Sequence, residues 1–129
     1  MIRVILALFL ILHGLVHLLW FVVPWHLMTV EGLPYSTKIV AGRLDIGDSG
    51  IRFVGLLWAL ATLAFIVAGV GLLFSTSWWF VITVGATLFS LCLSVLAWPD
   101  SRWSALIDIL ILAILLIGDQ MQLSFLPFV

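Results

Sequence analysis

Apolar residues along this chain gather into four long runs parted by short polar interruptions, and within the runs they do not alternate in twos. The runs extend from about Ile2 to Trp25, Ile51 to Phe74, Trp78 to Trp98 and Trp103 to Gly118. At about 1.5 Å of rise per residue, each is of the order needed to cross a hydrocarbon layer about 30 Å thick, the last being the shortest. Backbone groups in such a layer find no water, so each run must pair its own; this selects helices, and the missing alternation argues against barrel strands. The pattern predicts an all-α, integral membrane four-helix bundle, a single domain over residues 1–129. Past the fourth run, a polar step at Asp119, Gln120 and Gln122 leads into the apolar tail LSFLPFV, expected to continue the helix or to lie in the membrane interface.

The interruptions act mainly as punctuation. Residues 26–50 contain an expected turn around Gly32 and Pro34 and end in GDSG, where Asp48 or Ser49 is placed to cap the second helix. The second loop is only STS, which makes the second and third helices an antiparallel hairpin. WPDSRW is as tight, with Pro99 closing one helix and Asp100 or Ser101 capping the next. Trp25, Trp78, Trp79, Trp98 and Trp103 fall at run ends, as an interfacial aromatic belt would. Arg3 ahead of an apolar core has the look of a secretory signal. The run is too long for one and leads into VVPW with no small-residue cleavage pattern, so it reads as an uncleaved span.

Composition agrees with lipid as the main solvent: of 129 residues, 65% are hydrophobic and 9% charged, too few to cover the surface of a water-soluble domain. Five Lys plus Arg face six Asp plus Glu, which excludes a basic nucleic-acid face. Cys92 is the single cysteine and cannot form an intrachain disulfide. Lys38, Arg43, Arg52 and Arg102 lie on the side shared by the first and third loops, so the positive-inside rule places both termini outside the cytoplasm of a bacterial inner membrane.

Small residues mark where helices approach in lipid. Ala61, Ala64, Ala68 and Gly71 recur at helical spacing on the second helix, and Thr83, Thr87, Ser90 and Ser94 on the third; the short loop lets the two stripes face each other. Serine and threonine can bond to carbonyls one turn back, so the hydroxyls read as packing before they read as a polar path.

The chemistry-bearing positions are few. His13, His17, Trp20 and Pro24 share one face of the first helix, and Gly14 beside them permits a close neighbour. Ser101, Ser104, Asp108, Asp119 and Gln122 share a face of the fourth, where Asp108 exposed to lipid would cost about 2.5 to 3.5 kcal/mol. Counting depth from Trp25 and Trp103 makes His17 and Asp108 partners, with Arg52 near the mouth of the second helix. Three readings of this polar site follow: hydrogen-bonded structural groups; a proton relay or small-molecule site, since His near Asp can move its pKa across the physiological range; and a metal or haem site. The last lacks donors, because only Asp108 or His26 can add to the histidine pair and the other helices carry no histidine. No phosphate loop, paired cysteines, nucleophile elbow or HExxH is present, so the residues lean away from an enzyme and call for no cofactor.

LHGLVHLLWF, GLLWALATLAFIVAGVGLL and LAWPDSRWSALIDILIL resemble segments of uncharacterised bacterial four-span inner-membrane proteins, and the layout is remotely similar to the DoxX-like group. His17 stands where DoxX-like proteins often have Lys. The resemblance implies four helices and an inner-membrane location and no catalytic residue. Two functions are expected: an accessory or assembly subunit, or binder of a lipid- or quinone-like molecule, with membrane lipid and a membrane protein or second copy as partners; or an oxidoreductase component or proton-coupled protein using the His/Asp site.

Overall fold

The computed structural model of the protein describes residues 2–121. It is all-helical apart from one small hairpin: α1 (Ile2–Val16), α2 (Leu19–Val22), β1 (Lys38–Ile39), β2 (Leu44–Asp45), α3 (Gly47–Leu73), α4 (Trp79–Leu96) and α5 (Arg102–Met121). Among the described residues three stretches are long and apolar enough to cross a membrane, Ile2–Val22, Gly47–Leu73 and Trp79–Leu96. α5 runs on past the expected stop at Gly118. The side chains of Asp119 and Gln120, Gln122 and the tail expected in the interface lie outside what is described.

α3 is the hub, packed against α1, α2 and α4, while α4 also packs against α5. Contact between α1 and α3 is close enough to need glycine on both helices. A Cβ on Gly14 would fall 2.6 Å from Phe65 Cβ, and one on Gly69 would fall 2.6 Å from Ile11 and 2.9 Å from the Ala7 carbonyl. Between α3 and α4, Ala61, Ala68 and Gly71 are buried and Ala64 is half-buried, opposite a helix whose Thr83, Thr87, Ser90 and Ser94 are all buried. Thr83 and Thr87 donate to the carbonyls of Trp79 and Thr83, one turn back, at 2.7 and 2.6 Å.

Several expectations need correction. The first run is not one helix. After Val16 the backbone tightens to three-residue steps, with His17 N–H on the Gly14 carbonyl at 3.0 Å, Leu18 on Leu15 at 3.1 Å and Trp20 on His17 at 3.2 Å, and α2 ends before Pro24. α3 begins at Gly47, so Asp48 lies inside its first turn and accepts the Tyr35 hydroxyl, and Ile46 precedes the helix without a side-chain cap. Ser101 turns its hydroxyl back to the Ser94 carbonyl at 2.6 Å, tying the third loop to the end of α4. Trp79 is 1% exposed and belongs to the core instead of the aromatic belt, because it opens the same inward face that continues through Thr83 and Ala86.

The first loop holds the hairpin, which the sequence pattern missed since each strand is two residues long. Lys38 pairs with Asp45 and Ile39 with Leu44. At its tip Val40, Ala41 and Gly42 all take positive φ, a conformation that costs a β-branched residue appreciable energy. The strain is matched by two bonds: Val40 N–H reaches the Leu96 carbonyl at 2.9 Å and Ala41 N–H the Trp98 carbonyl at 3.0 Å. The tip thereby satisfies carbonyls that the C-terminus of α4 would leave unpaired.

The glycine contacts predict a contrast. Gly14→Ala should lower unfolding stability in detergent by about 1–3 kcal/mol, the usual cost of overpacking. Gly85→Ala, on an exposed position of α4 with no atom near the added Cβ, should leave stability unchanged or slightly raised. Equal losses in both would show that the α1 to α3 approach does not matter.

Candidate functional site

The apolar interior is split into two clusters. One holds Ala7, Leu10, Phe65, Ala68, Leu72, Trp79, Ala86, Ile111 and Leu115; the other holds Val54, Trp58, Ala61 and Leu93. Between them lies a polar layer. His13 Nε2 is 2.7 Å from Asp108 Oδ1. The Ser90 hydroxyl stands between Asp108 and His17, its Oγ 2.5 Å from Asp108 Oδ2 and 2.6 Å from His17 Nε2. His17 Nδ1 donates to the His13 carbonyl at 2.7 Å, and Ser104 Oγ is 3.4 Å from His17 Nε2. Asp108, His17 and Ser90 are 0% exposed and His13 is 5% exposed.

Each position follows from local structure. In an unbroken helix the His13 carbonyl would accept the backbone N–H of residue 17. Here that N–H goes to Gly14, so the carbonyl is released and the His17 ring takes it. This bond fixes the imidazole: a carbonyl only accepts, so Nδ1 carries hydrogen and Nε2 points at Ser90. Aromatic rings hold the pair in place. Phe65 lies edge-on to His13 at 4.9 Å and tilted to His17 at 5.2 Å, and Trp58 lies 5.1 Å from His17.

The structure therefore brings His13, His17 and Asp108 together, with His13 in the place where His17 was expected. Depth counted from Trp25 misled because the chain tightens to three-residue steps after Val16 and turns at His26, which is in the left-handed region. Ser90, read as packing, is the bridge between His17 and Asp108; its helical register with Thr83 and Thr87 hid it. Arg52 is not part of the layer. It is exposed, its guanidinium lies 5.7 Å over the Trp25 ring, and its carbonyl accepts Trp25 Nε1–H at 2.9 Å. His26 lies tilted against Tyr35, ring centroids 4.5 Å apart, away from the other histidines.

His13, His17 and Asp108 offer one metal-ligand atom each within 4.8 Å of one another. The observed contacts suit hydrogen bonds better. Donors on one ion at metal distances of about 2.0–2.2 Å sit about 3 Å or more apart, whereas His13 and Asp108 approach to 2.7 Å. A cation would have to part them.

Above the layer, at the end carrying the first and third loops, a cavity of about 200 Å³ is walled by Trp20, Trp58 and Trp98, with Tyr35, Lys38 and Asp100 among its polar lining. Trp20 stacks on Trp58 at 4.9 Å, and its buried Nε1–H has no hydrogen-bond partner among the described residues. Trp58 thus touches both the cavity and His17. No family model matches the chain, and neither a curated protein nor a solved structure matches it.

At the cavity lining, Tyr35 donates to Asp48, which with a smaller contribution from burial pushes the phenol above its ordinary value of 10.0. The Gly47 N–H, seconded by the Thr37 hydroxyl, holds Asp45 below the usual carboxylate range. Tyr35 is the chain's only tyrosine, so the pH-dependent ultraviolet difference absorbance of tyrosinate reports it alone, the indoles not ionising. A raised folded-state value means that its stabilising contribution is present below the ordinary tyrosine range and is lost as pH rises through the raised value. Absorbance titration should give an alkaline shift that Asp48→Ala reduces to the smaller part left by burial. In the polar layer, Asp108→Ala should destabilise by about 1–3 kcal/mol more than Asp108→Asn, because the alanine leaves His13 Nε2 unpartnered and Ser90 with His17 alone, while the amide still bonds to both. Equal losses on denaturant unfolding would refute this.

Proposed function

We propose that this chain is an integral membrane protein of the bacterial inner membrane, a four-helix bundle that binds the headgroup of an amphipathic, lipid- or quinone-like molecule in its aromatic cavity. What supports insertion is an inversion of the usual surface. Phe53, Leu60, Val81 and Leu106 are 54–69% exposed on the outward faces, while His17, Asp108 and four hydroxyl residues of α4 are inside. Lys38, Arg43, Arg52 and Arg102 lie toward the cavity end, so by the positive-inside rule that end faces the cytoplasm.

The observation that carries the ligand reading is the cavity itself: flat aromatic walls, an unpartnered indole N–H at Trp20, and Lys38 and Asp100 in the lining. Its volume of about 200 Å³ is below the roughly 300–1,000 Å³ typical of drug-sized ligands. It therefore suits a ring-sized headgroup whose apolar tail stays in the bilayer. A proton-coupled or oxidoreductase role is the second reading, favoured by the contact of Trp58 with both cavity and His17. Neither reading depends on the resemblance to DoxX-like proteins.

Titrating a short-tailed benzoquinone into the protein in nanodiscs, with tryptophan fluorescence as the readout, should give saturable quenching. Trp20→Leu should weaken it by about tenfold, the equivalent of about 1.4 kcal/mol of lost stacking and hydrogen bonding. Quenching that rises linearly with quinone and is the same in Trp20→Leu would indicate partitioning into lipid and defeat the proposal.

A further inference from the structure

Counting hydrogens through the polar layer leads beyond a ligand site. The chain of contacts runs from the His13 ring to Asp108, Ser90, His17 and back to the His13 carbonyl. Its last link fixes hydrogen on His17 Nδ1. Suppose Asp108 is a carboxylate and both imidazoles are neutral. Ser90 has one hydroxyl hydrogen, and two acceptors, Asp108 Oδ2 and His17 Nε2, face it at 2.5 and 2.6 Å. Whichever receives the hydrogen, the other meets the serine oxygen lone pair to lone pair at hydrogen-bond distance, which is repulsive. Ser104 does not relieve this, since at 3.4 Å it is a weak donor and leaves the 2.6 Å contact in place.

We propose that His13, Asp108, Ser90 and His17 form a proton-binding and proton-transfer site that holds one proton beyond that count. In one arrangement the proton is on Asp108: His13 Nε2–H donates to Oδ1, the acid hydroxyl donates to Ser90, and Ser90 donates to His17 Nε2. In the other, His17 is imidazolium, donates to Ser90, and Ser90 donates to the Asp108 carboxylate. The two interconvert by one concerted shift. The Asp108 O–H breaks as a new O–H forms on Ser90, while the original Ser90 O–H breaks as N–H forms on His17.

Both arrangements leave the layer with no net charge, and this favours the extra proton. An uncompensated carboxylate at a 0% exposed position would carry a large desolvation cost. No other charged or titratable side chain faces the layer among the described residues. α3 presents Trp58 and Phe65, α4 presents Ser90, and α5 adds only the Ser104 hydroxyl. A divalent ion in place of the proton would leave a net positive charge and would require the 2.7 Å pair to open. His17, the end of the relay against Trp58, is also the end nearest the cavity.

The test uses the whole protein in nanodiscs at neutral pH, without quinone, so it is independent of the cavity ligand. Infrared spectra read the Asp108 carbonyl stretch by difference from Asp108→Asn, and nitrogen-15 spectra of labelled histidine read each ring nitrogen. The expected result is a neutral-acid band, absent in Asp108→Asn, with His17 Nε2 an acceptor in a strong hydrogen bond. An imidazolium at His17 with ionised Asp108 also supports the site, placing the same proton at its other end. Ser90→Ala should remove the His17 Nε2 hydrogen-bond shift, and Ser90→Thr should keep it. Ionised Asp108 with two neutral imidazoles in the wild-type protein would overturn the proposal whether or not the variants fold, as would a stoichiometric divalent ion on metal analysis.

Discussion

The carbonyl of His13 has lost its helical partner, and most of what is unusual in this protein can be traced from that one group. A buried carbonyl without a donor costs on the order of 1–3 kcal/mol, so a break in α1 must be matched from a side chain. His17 supplies the donor across one turn. In doing so it orients its second nitrogen away from α1 and toward α4 and α5, where Ser90 and Asp108 meet it. A local defect in one helix thus becomes a link among three. The tightened turn after Val16, which would otherwise weaken the first helix, is also what aims the ring.

That link works only if backbones come near enough for short side chains to touch. Serine and aspartate reach little beyond their own helix, so α1, α4 and α5 must converge at one level. Gly14 and Gly69 set the spacing of α1 on α3, and the tying of α4 to the hairpin tip and to Ser101 steadies its far end. The two apolar clusters on either side keep the layer dry. In a dry layer each hydrogen bond is electrostatically stronger and each missing one more costly, so the polar groups are present as a closed set.

Much of this was legible along the chain, and the failures have physical causes. Run lengths marked the long helices, and the four-residue step from His13 to His17 marked an inward face, because helical periodicity depends only on local geometry. The cost of an unpaired Asp108 pointed to a buried partner but not to which one. Choosing between His13 and His17 needed the true course of residues 17–26, where three-residue bonds, Pro24 and a left-handed His26 bend the chain. Ser90 was hidden for another reason: its neighbours Thr83 and Thr87 do bond one turn back, and nothing in the spacing separates the hydroxyl that reaches outward from those that do not. Trp79 sat at a run end like its exposed neighbour Trp78, and only the inward register of α4 distinguishes them. The hairpin tip depends on long-range bonds to α4 that no local pattern announces.

The position of Trp58 joins the two halves of the functional reading. One side of its ring meets Trp20 in the cavity wall and another meets His17, so cavity and polar layer share a single side chain with no water-sized gap required between them. A change of charge at His17 would be felt at this wall, since a cation beside an indole is attracted to its face by roughly 0.5–2 kcal/mol depending on solvation. Conversely, a headgroup that shifts the Trp20 and Trp58 stack would alter the surroundings of His17 without touching it. Coupling of this kind is reciprocal by necessity: whatever favours the proton on His17 when the cavity is filled must favour filling when His17 is protonated. On the proposed reading, ligand binding in the cavity and proton position in the layer are coupled through one buried aromatic contact.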